Sequence, residues 1–303
     1  MIKSLLAQKA FITTWKTNNS GSSGSSQITI PTSSSGRYGC LVDWGDGTTS
    51  AISTYDDAAW THTYPSPGTY TVTIYGTFEG MRFNNTGDRL KLLNVTRWGI
   101  FNPYNLDAIF YGCSNLDVTA TDTPYMQKVT TINSMFRNCT NLVFNASINK
   151  WDISSVTNPA GMFLQCTSFN QPVSNLDFSK ATTLGNLFNG CTSFNQDVSG
   201  FDTSNVTIMN GMFNGCTSFN QDVSGFNISA LTSASNMFLN SGFTRTNYDK
   251  LLDSTTGWPS QSPINSGVTF SAGTAKYSAG SPATGRSFLI GTKLWTITDG
   301  GAF

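Results

Sequence analysis

The chain has 303 residues, about twice the length of a typical single domain, and only 11% of them are charged, less than half of the usual share. Its seventeen basic residues balance its seventeen acidic ones, so the charge gives no reason to expect nucleic acid or an anionic membrane as a partner. Glu79 is the single glutamate and His62 the single histidine, and because general acid–base catalysis draws mainly on His, Glu and Asp, the composition argues against an enzyme.

The amino-terminal segment, residues 1–9, carries a short apolar patch that is interrupted at Gln8 and Lys9. A secretory signal needs an apolar stretch of about 7–15 residues, so we expect no signal peptide here. No apolar run in the chain approaches the roughly 20 residues of a transmembrane helix, and we expect no membrane insertion. We interpret residues 1–9 as a candidate anchor to a larger particle.

Residues 10–83 show short β-type runs separated by turn residues, a pattern that indicates a small β-sandwich. The predicted strands are 11–15, 27–30, 38–44 and 69–75. The Ser/Gly-rich run at 18–26 has the composition of a linker. The strands on both sides of it favour a long, flexible hairpin loop instead.

The next part of the chain, residues 84–243, repeats itself. Hydrophobic pairs that end in phenylalanine recur at intervals of 26, 27, 25, 25 and 25 residues. The pairs are Ile109-Phe110, Met135-Phe136, Met162-Phe163, Leu187-Phe188, Met212-Phe213 and Met237-Phe238. A fixed period of this length predicts a solenoid, in which each unit buries its apolar face against its neighbours. Residues 244–303 leave the pattern, and we expect a carboxy-terminal cap with a helix at 248–253 and a strand at 294–298.

Residues at equivalent positions of successive units form columns, and two further columns fix the register of the repeat. Cysteine occupies one position of five units, and phenylalanine follows three residues later in three of them. These residues are Cys113, Cys139, Cys166, Cys191 and Cys216, with Phe169, Phe194 and Phe219. Equivalent residues of stacked units lie parallel and about 4.8 Å apart, whereas a disulfide needs Cβ atoms about 3.8 Å apart with a defined twist. We therefore expect a structural ladder of buried free thiols and stacked rings, with no zinc site.

The repeat blocks Cys-Thr-Ser-Phe-Asn-Gln-Asp-Val at 191–198 and 216–223, with Phe-Asp-Thr-Ser-Asn-Val-Thr at 201–207, resemble the BspA-like leucine-rich-repeat surface proteins of the DUF285 type. The resemblance covers roughly residues 90–245. It implies a leucine-rich-repeat-like solenoid with repeats of about 25 residues. Members of that family are largely surface proteins, and several are associated with adhesion.

The front part carries Val-Asp-Trp-Gly-Asp-Gly-Thr at 42–48 and His-Thr-Tyr-Pro-Ser-Pro-Gly-Thr-Tyr-Thr-Val-Thr at 62–73. These blocks resemble a PKD domain, which implies an immunoglobulin-like β-sandwich that serves as a spacer or binding module. His62 lies inside the second block, so we interpret it as structural. Asp43 and Asp46 are interpreted as turn caps, and calcium binding by this pair is left open because hard cations take clustered oxygens.

Binding residues are harder to assign, because in a repeat the insertions and the departures from the pattern are the usual marks of a functional face. The candidates for contact with a glycan or protein are Tyr104, Tyr111, Tyr125, Lys150 and Lys180. Exposed aromatic rings with a polar rim suit such contacts. Columns of aspartate (152, 177, 202) and asparagine (170, 195, 220) are interpreted as structural. No catalytic residue, metal ligand or cofactor is predicted.

The predicted architecture is therefore mainly β: a PKD-type sandwich, a leucine-rich-repeat-like solenoid and a cap. The predicted function is that of a non-enzymatic structural or adhesion protein on a bacteriophage particle, as a capsid decoration, head fibre or tail-associated protein. Its amino-terminal part would contact other virion proteins, and its solenoid would bind a glycan or protein of the host surface. A homo-oligomer is left open. The alternative is a bacterial cell-surface adhesin of the same architecture.

Overall fold

A computed structural model of the chain describes residues 9–99, 101–103 and 105–303. Short strands and turns dominate these residues, and helices are few. The strands are β1 (Phe11–Lys16), β2 (Gln27–Thr29), β3 (Tyr38–Asp43), β4 (Thr49–Ile52), β5 (Thr61–Thr63), β6 (Thr69–Phe78), β7 (Leu92–Arg97), β8 (Asp117–Val118), β9 (Ser233–Ala234), β10 (Thr269–Ser271) and β11 (Thr296–Thr298). The α-helices are α1 (Arg245–Leu252) and α2 (Ser281–Gly291), and the 3-10 helices are Ala58–Trp60, Ala146–Lys150 and Trp258–Ser260.

Most of the front strands belong to one sheet with the order β4-β3-β6-β1-β7-β8. Strand β6 lies at its centre and pairs antiparallel with both β1 and β3. The alternation of buried and exposed side chains explains why β6 is a strand, because Val72 and Ile74 are buried while Thr71 and Tyr75 stay at least partly exposed. The four strands predicted for this part correspond to β1, β2, β3 and β6, which confirms them to within a few residues.

The predicted PKD-type sandwich is wrong. A sandwich needs two sheets that face each other, but β1, β3, β4 and β6 all belong to the same six-stranded sheet. That sheet continues through β7 and β8 into the repeats, and the other sheet of the front part has only the three-residue strands β2 and β5. The physical reason is that the block at 42–48 specifies a β3–β4 hairpin, and a hairpin does not determine how many sheets surround it.

The predicted leucine-rich-repeat solenoid is also wrong. Such a fold builds a parallel sheet from one strand per unit, but the structure describes only β8, with two residues, between β7 and β9. Adjacent units share single bridges, such as Thr183 with Ile208, instead of a continuous ladder. They are otherwise joined turn to turn, as where the Phe163 N–H donates to Leu187 O at 3.0 Å.

Left-handed residues explain why strands do not form here. Each unit has one residue of positive φ before its hydrophobic pair and another just before its cysteine position. In one unit these are Gly211 (φ 61°) and Gly215 (φ 71°), which bracket Met212 and Phe213. The equivalent residues elsewhere are Ala108, Ser134, Gly161, Asn186 and Asn236, then Gly112, Asn138, Gln165, Gly190 and Asn240. Because extended backbone cannot pass through this region, the apolar pair sits in a tight turn.

The carboxy-terminal part extends the parallel pairing. Strand β10 pairs parallel with β9 on one side and with β11 on the other, so hydrogen bonds join residues 233–234 to the predicted cap. The predicted helix and last strand correspond to α1 and β11. The sheet pairings cross both predicted borders, at 83/84 and 243/244, and the division into domains stays a prediction. None of the helices in the described part of the chain is long and apolar enough to cross a membrane.

Candidate functional site

The four predicted binding residues that the structure describes do not contact one another. Tyr104 lies outside the described residues. Tyr111 is half-buried, with the Arg137 guanidinium 4.8 Å from its ring centre, and Tyr125 is exposed and donates to Gln127 Oε1 at 2.6 Å. The two lysines, Lys150 and Lys180, are exposed on separate repeat units. No hydrogen bond, ion pair or ring contact joins any two of the four that the structure describes.

Asp43 and Asp46 act as acceptors within the β3–β4 turn. Asp43 Oδ1 accepts from the Gly45 N–H at 2.9 Å, and Asp46 Oδ1 accepts from the Thr48 N–H at 3.0 Å and the Thr48 hydroxyl at 2.6 Å. Asp46 Oδ2 lies 2.8 Å from His62 Nε2. Burial alone would raise the pKa of Asp46, but the hydrogen bonds from Thr48 and His62 outweigh it and lower that pKa to about 2.

His62 is held in a row of aromatic rings, as its place in the block at 62–73 suggests. Its ring stacks on Trp44 at 4.6 Å with an interplanar angle of 5° and meets the edge of Tyr64 at 4.5 Å. Tyr64 in turn stacks on Tyr70 at 3.8 Å. This row ties the β3–β4 hairpin to β5 and β6. Among residues 9–99, 101–103 and 105–303, no group of three or more His, Cys, Asp or Glu side chains could hold a metal ion.

The cysteine column is buried and unpaired. All five thiols have no exposed surface, and none forms a disulfide. From the second member on, each Sγ donates to the backbone carbonyl of the phenylalanine in the preceding unit, at 2.9–3.1 Å. Burial raises the pKa of every thiol in the column, that of Cys216 to about 12. The thiols therefore serve as small core residues with one weak hydrogen bond each.

The phenylalanine column forms a stack beside these thiols. Phe194 lies 6.0 Å from Phe169 and 6.0 Å from Phe219, measured between ring centres. It also stacks on Phe188 of its own unit at 4.1 Å. Every ring is fully buried. The rings therefore set the interval between units on this side of the repeat.

Threonines form one exposed column of the repeat segment. The hydroxyls of Thr157, Thr182, Thr207 and Thr232 each donate to the carbonyl of the preceding threonine of the column, at 2.9–3.4 Å. The backbone N–H groups of the same residues donate to the same carbonyls. The hydroxyl protons of this column are therefore already committed within the protein.

Asparagines form a second exposed column. Asn170 Oδ1 accepts from the Asn195 N–H at 3.0 Å, Asn195 Oδ1 from the Asn220 N–H at 2.9 Å, and Asn220 Oδ1 from the Thr244 N–H at 3.1 Å. An exposed serine lies two residues before each of these asparagines. We call this surface the asparagine strip; its members are Ser168, Asn170, Ser193, Asn195, Ser218 and Asn220.

The aspartate column has a local role. Asp152, Asp177 and Asp202 each accept the backbone N–H of the serine two residues later, at 2.9–3.2 Å, and Asn227 does the same in the next unit. Hydrogen bonds from Ser204 lower the pKa of Asp202. The column thus caps turns, which is the interpretation that the sequence favours.

A family model described as "Mycoplasma protein of unknown function, DUF285" matches residues 104–202 and 173–255, which together span just over half of the chain. This chain belongs to the DUF285 family. Membership of this BspA-like family fits a role as a surface protein. Searches of the curated proteins and of the solved structures found no match for this DUF285 protein.

A polar centre in the front part of this DUF285 protein escaped the sequence reasoning. Lys91 Nζ is fully buried and donates to the carbonyl oxygens of Ser23, Gly24 and Gln27 at 2.8–3.0 Å. Asp88, also buried, accepts from the Ser23 N–H at 3.0 Å. The bound residues lie more than 60 positions away in the sequence, so no local pattern could have revealed the pairing.

A cleft at the end of the repeat segment is lined by no catalytic group. It has a volume of about 560 Å³ and lies between the last repeat unit and the segment that contains Gln261 and Pro263. Its walls are formed by glycine, asparagine, serine, glutamine and proline. The groups that the DUF285 repeats offer to a ligand are therefore those of the exposed polar columns.

Proposed function

We propose that this DUF285 protein is a non-enzymatic surface component of a bacteriophage particle, as a capsid decoration, head fibre or tail-associated protein. In this role the repeat segment binds a glycan or protein of the host surface. The observation that carries the proposal is the exposed surface of the repeats, in which regular columns of threonine, serine and asparagine outnumber the charged side chains. Such a surface suits a protein of the particle exterior, because it offers hydrogen-bonding groups to a ligand and makes few non-specific charge contacts.

The packing of the repeats supports the same role. Backbone hydrogen bonds and stacked phenylalanine rings join each unit to the next, so the segment holds its polar columns in fixed positions. The amino-terminal part, with its six-stranded sheet and residues 1–9, is assigned the contact with capsid or tail proteins. This division leaves the repeats free to meet the host.

Hydrolysis of a glycan is not part of the proposal. That reaction uses two carboxyl groups about 5–9.5 Å apart whose different surroundings separate their pKa values. The aspartates at 152, 177 and 202 instead occupy equivalent turns and accept equivalent hydrogen bonds. Equivalent surroundings give no division into an acid and a nucleophile or base.

A bacterial cell-surface adhesin is the second candidate. The observation that favours it is the description of the matching family, which names a protein of Mycoplasma, a cellular organism. The repeat surface would serve an adhesin in the same way, so only the location of the protein separates the two.

Mass spectrometry of purified phage particles and, separately, of host envelopes tests the proposal. We expect tens to hundreds of copies per particle, and the copy number distinguishes a capsid decoration from a tail position. Detection in envelopes alone would overturn the phage role and leave the adhesin.

A further inference from the structure

We propose that the asparagine strip binds a neutral, extended polysaccharide, with one sugar residue for each repeat unit. The inference deepens the proposed function, and it rests on that function only in taking the repeats as the part that meets the host. It selects the glycan from the two ligand classes considered above and places it on one face of the molecule.

The first argument is the state of the asparagine amides. In Asn170, Asn195 and Asn220 the Oδ1 atom is bound by a backbone N–H of the following segment, which holds each amide group in one orientation. Gln196 and Gln221 donate to two of the same oxygens, at 3.0 and 2.8 Å. The Nδ2 groups have no acceptor among the described residues, and the three side chains are exposed. The strip thus presents donors that lose little freedom on binding.

The serines complete the set of hydrogen-bonding groups. Ser193 and Ser218 are exposed two residues before Asn195 and Asn220, so two of the three units offer a hydroxyl close to an amide in the sequence. In the third unit the Ser168 hydroxyl donates to the Thr140 carbonyl at 2.8 Å and can only accept from a ligand. A hydroxyl both donates and accepts, whereas the free Nδ2 group only donates. This combination suits the adjacent hydroxyl groups of a sugar ring, which also donate and accept.

The period of the strip fits a linear polymer. The buried Phe169, Phe194 and Phe219 precede the three asparagines directly and repeat at 6.0 Å. That interval is comparable with the length of one residue in an extended β-1,4-linked glycan. Successive residues of such a chain are turned by about half a rotation, so a chain that runs along the units offers each of the three asparagines an oxygen acceptor, taken from alternate edges of the sugar rings.

The negative charge of the repeat segment favours a neutral polymer over an anionic one. Residues 151–242 contain five aspartates and one lysine, and Asp197 lies two residues after Asn195 in the same segment. This excess of negative charge repels anionic glycans over the Debye length of about 8 Å. The threonine column is the less suitable face, because its hydroxyl protons are bound by backbone carbonyls.

Calorimetric titration of the full chain with chitohexaose and with cellohexaose, two neutral β-1,4-linked hexasaccharides, tests the proposal. The informative variant is Asn195→Asp, which keeps an oxygen for the Asn220 N–H but removes the Nδ2 donors. The matched control is Asn227→Asp, because this exposed asparagine occupies the column in which the other units already carry aspartate. Thermal melting of both variants verifies that they fold.

We expect binding of at least one hexasaccharide, a loss of about tenfold in affinity for Asn195→Asp, and no change for Asn227→Asp. Polygalacturonate, an anionic glycan, should not bind. The proposal is overturned if neither hexasaccharide binds, if Asn195→Asp binds as the parent protein does, or if polygalacturonate binds equally well. Detection in phage particles does not depend on this titration, so the two proposals can fail separately.

Discussion

The ammonium group of Lys91 lies 3.8 Å from the carboxylate of Asp88, and neither side chain has any exposed surface. The Ser/Gly-rich run at 18–26 is folded around this pair. Lys91 Nζ donates to the carbonyls of Ser23 and Gly24 in the run and to that of Gln27 directly after it. Asp88 Oδ2 accepts from the Thr29 N–H at 2.7 Å. A segment with the composition of a flexible loop is thereby fixed against the front sheet.

Replacing Lys91 by methionine should release this segment. The variant keeps the length of the side chain but removes the ammonium donor from three carbonyls and leaves the buried Asp88 carboxylate without an opposite charge, a loss of about 3–5 kcal/mol in the free energy of unfolding. Urea denaturation measures the loss, and amide hydrogen exchange should show faster exchange across 18–29. The control is Lys16→Met, at an exposed position of β1. Unchanged exchange in the Lys91 variant would contradict the role of the pair.

The sequence predicted individual elements and columns better than their assembly. The strands of the front part and the buried cysteines follow from alternation and from the repeat spacing. The prediction of a sandwich was wrong because the block at 42–48 specifies only one hairpin. The prediction of a leucine-rich-repeat solenoid was wrong because the recurring Gly, Asn and Ser residues before each hydrophobic pair adopt left-handed backbone. These residue types in the sequence already indicated a turn at that position. The asparagine strip was predicted as structural, and its free amide groups appear only when the hydrogen bonds are known.

Asp46 should make the stability of the protein depend on pH in the acid range. Its pKa is about 2 in the folded protein and about 3.9 in an unfolded chain, so the unfolded state binds more protons between these values. The stabilisation is complete above about pH 4 and is lost as the pH falls towards about 2. We expect the urea midpoint of the parent to fall faster than that of Asp46→Asn over this range. The exposed Asp56→Asn serves as control, and parallel curves for parent and Asp46→Asn would contradict the assignment.

The buried thiols should be inert in the folded protein. Burial raises the pKa of Cys40 to about 11 and that of Cys216 to about 12, and the thiolate is the reactive form. We expect no reaction of the native protein with Ellman's reagent and reaction of all six cysteines after denaturation in urea. Ser193→Cys, at an exposed position beside the column, supplies a reactive thiol as a positive control. Rapid reaction of a native thiol in the parent protein would show that the column is accessible.

Phe194 tests whether the rings hold successive units together. Its ring contacts Phe188 at 4.1 Å and lies between Phe169 and Phe219 at 6.0 Å on each side. Phe194→Ala should lower the free energy of unfolding by about 3–5 kcal/mol, because a cavity remains among rings that cannot close it. Ser193→Ala, on the exposed side of the same segment, should change it by no more than about 0.5 kcal/mol. Equal urea midpoints for the two variants would mean that the backbone hydrogen bonds alone join the units. A lower midpoint for Phe194→Ala, with exchange accelerated in both neighbouring units, assigns that role to the stacked rings.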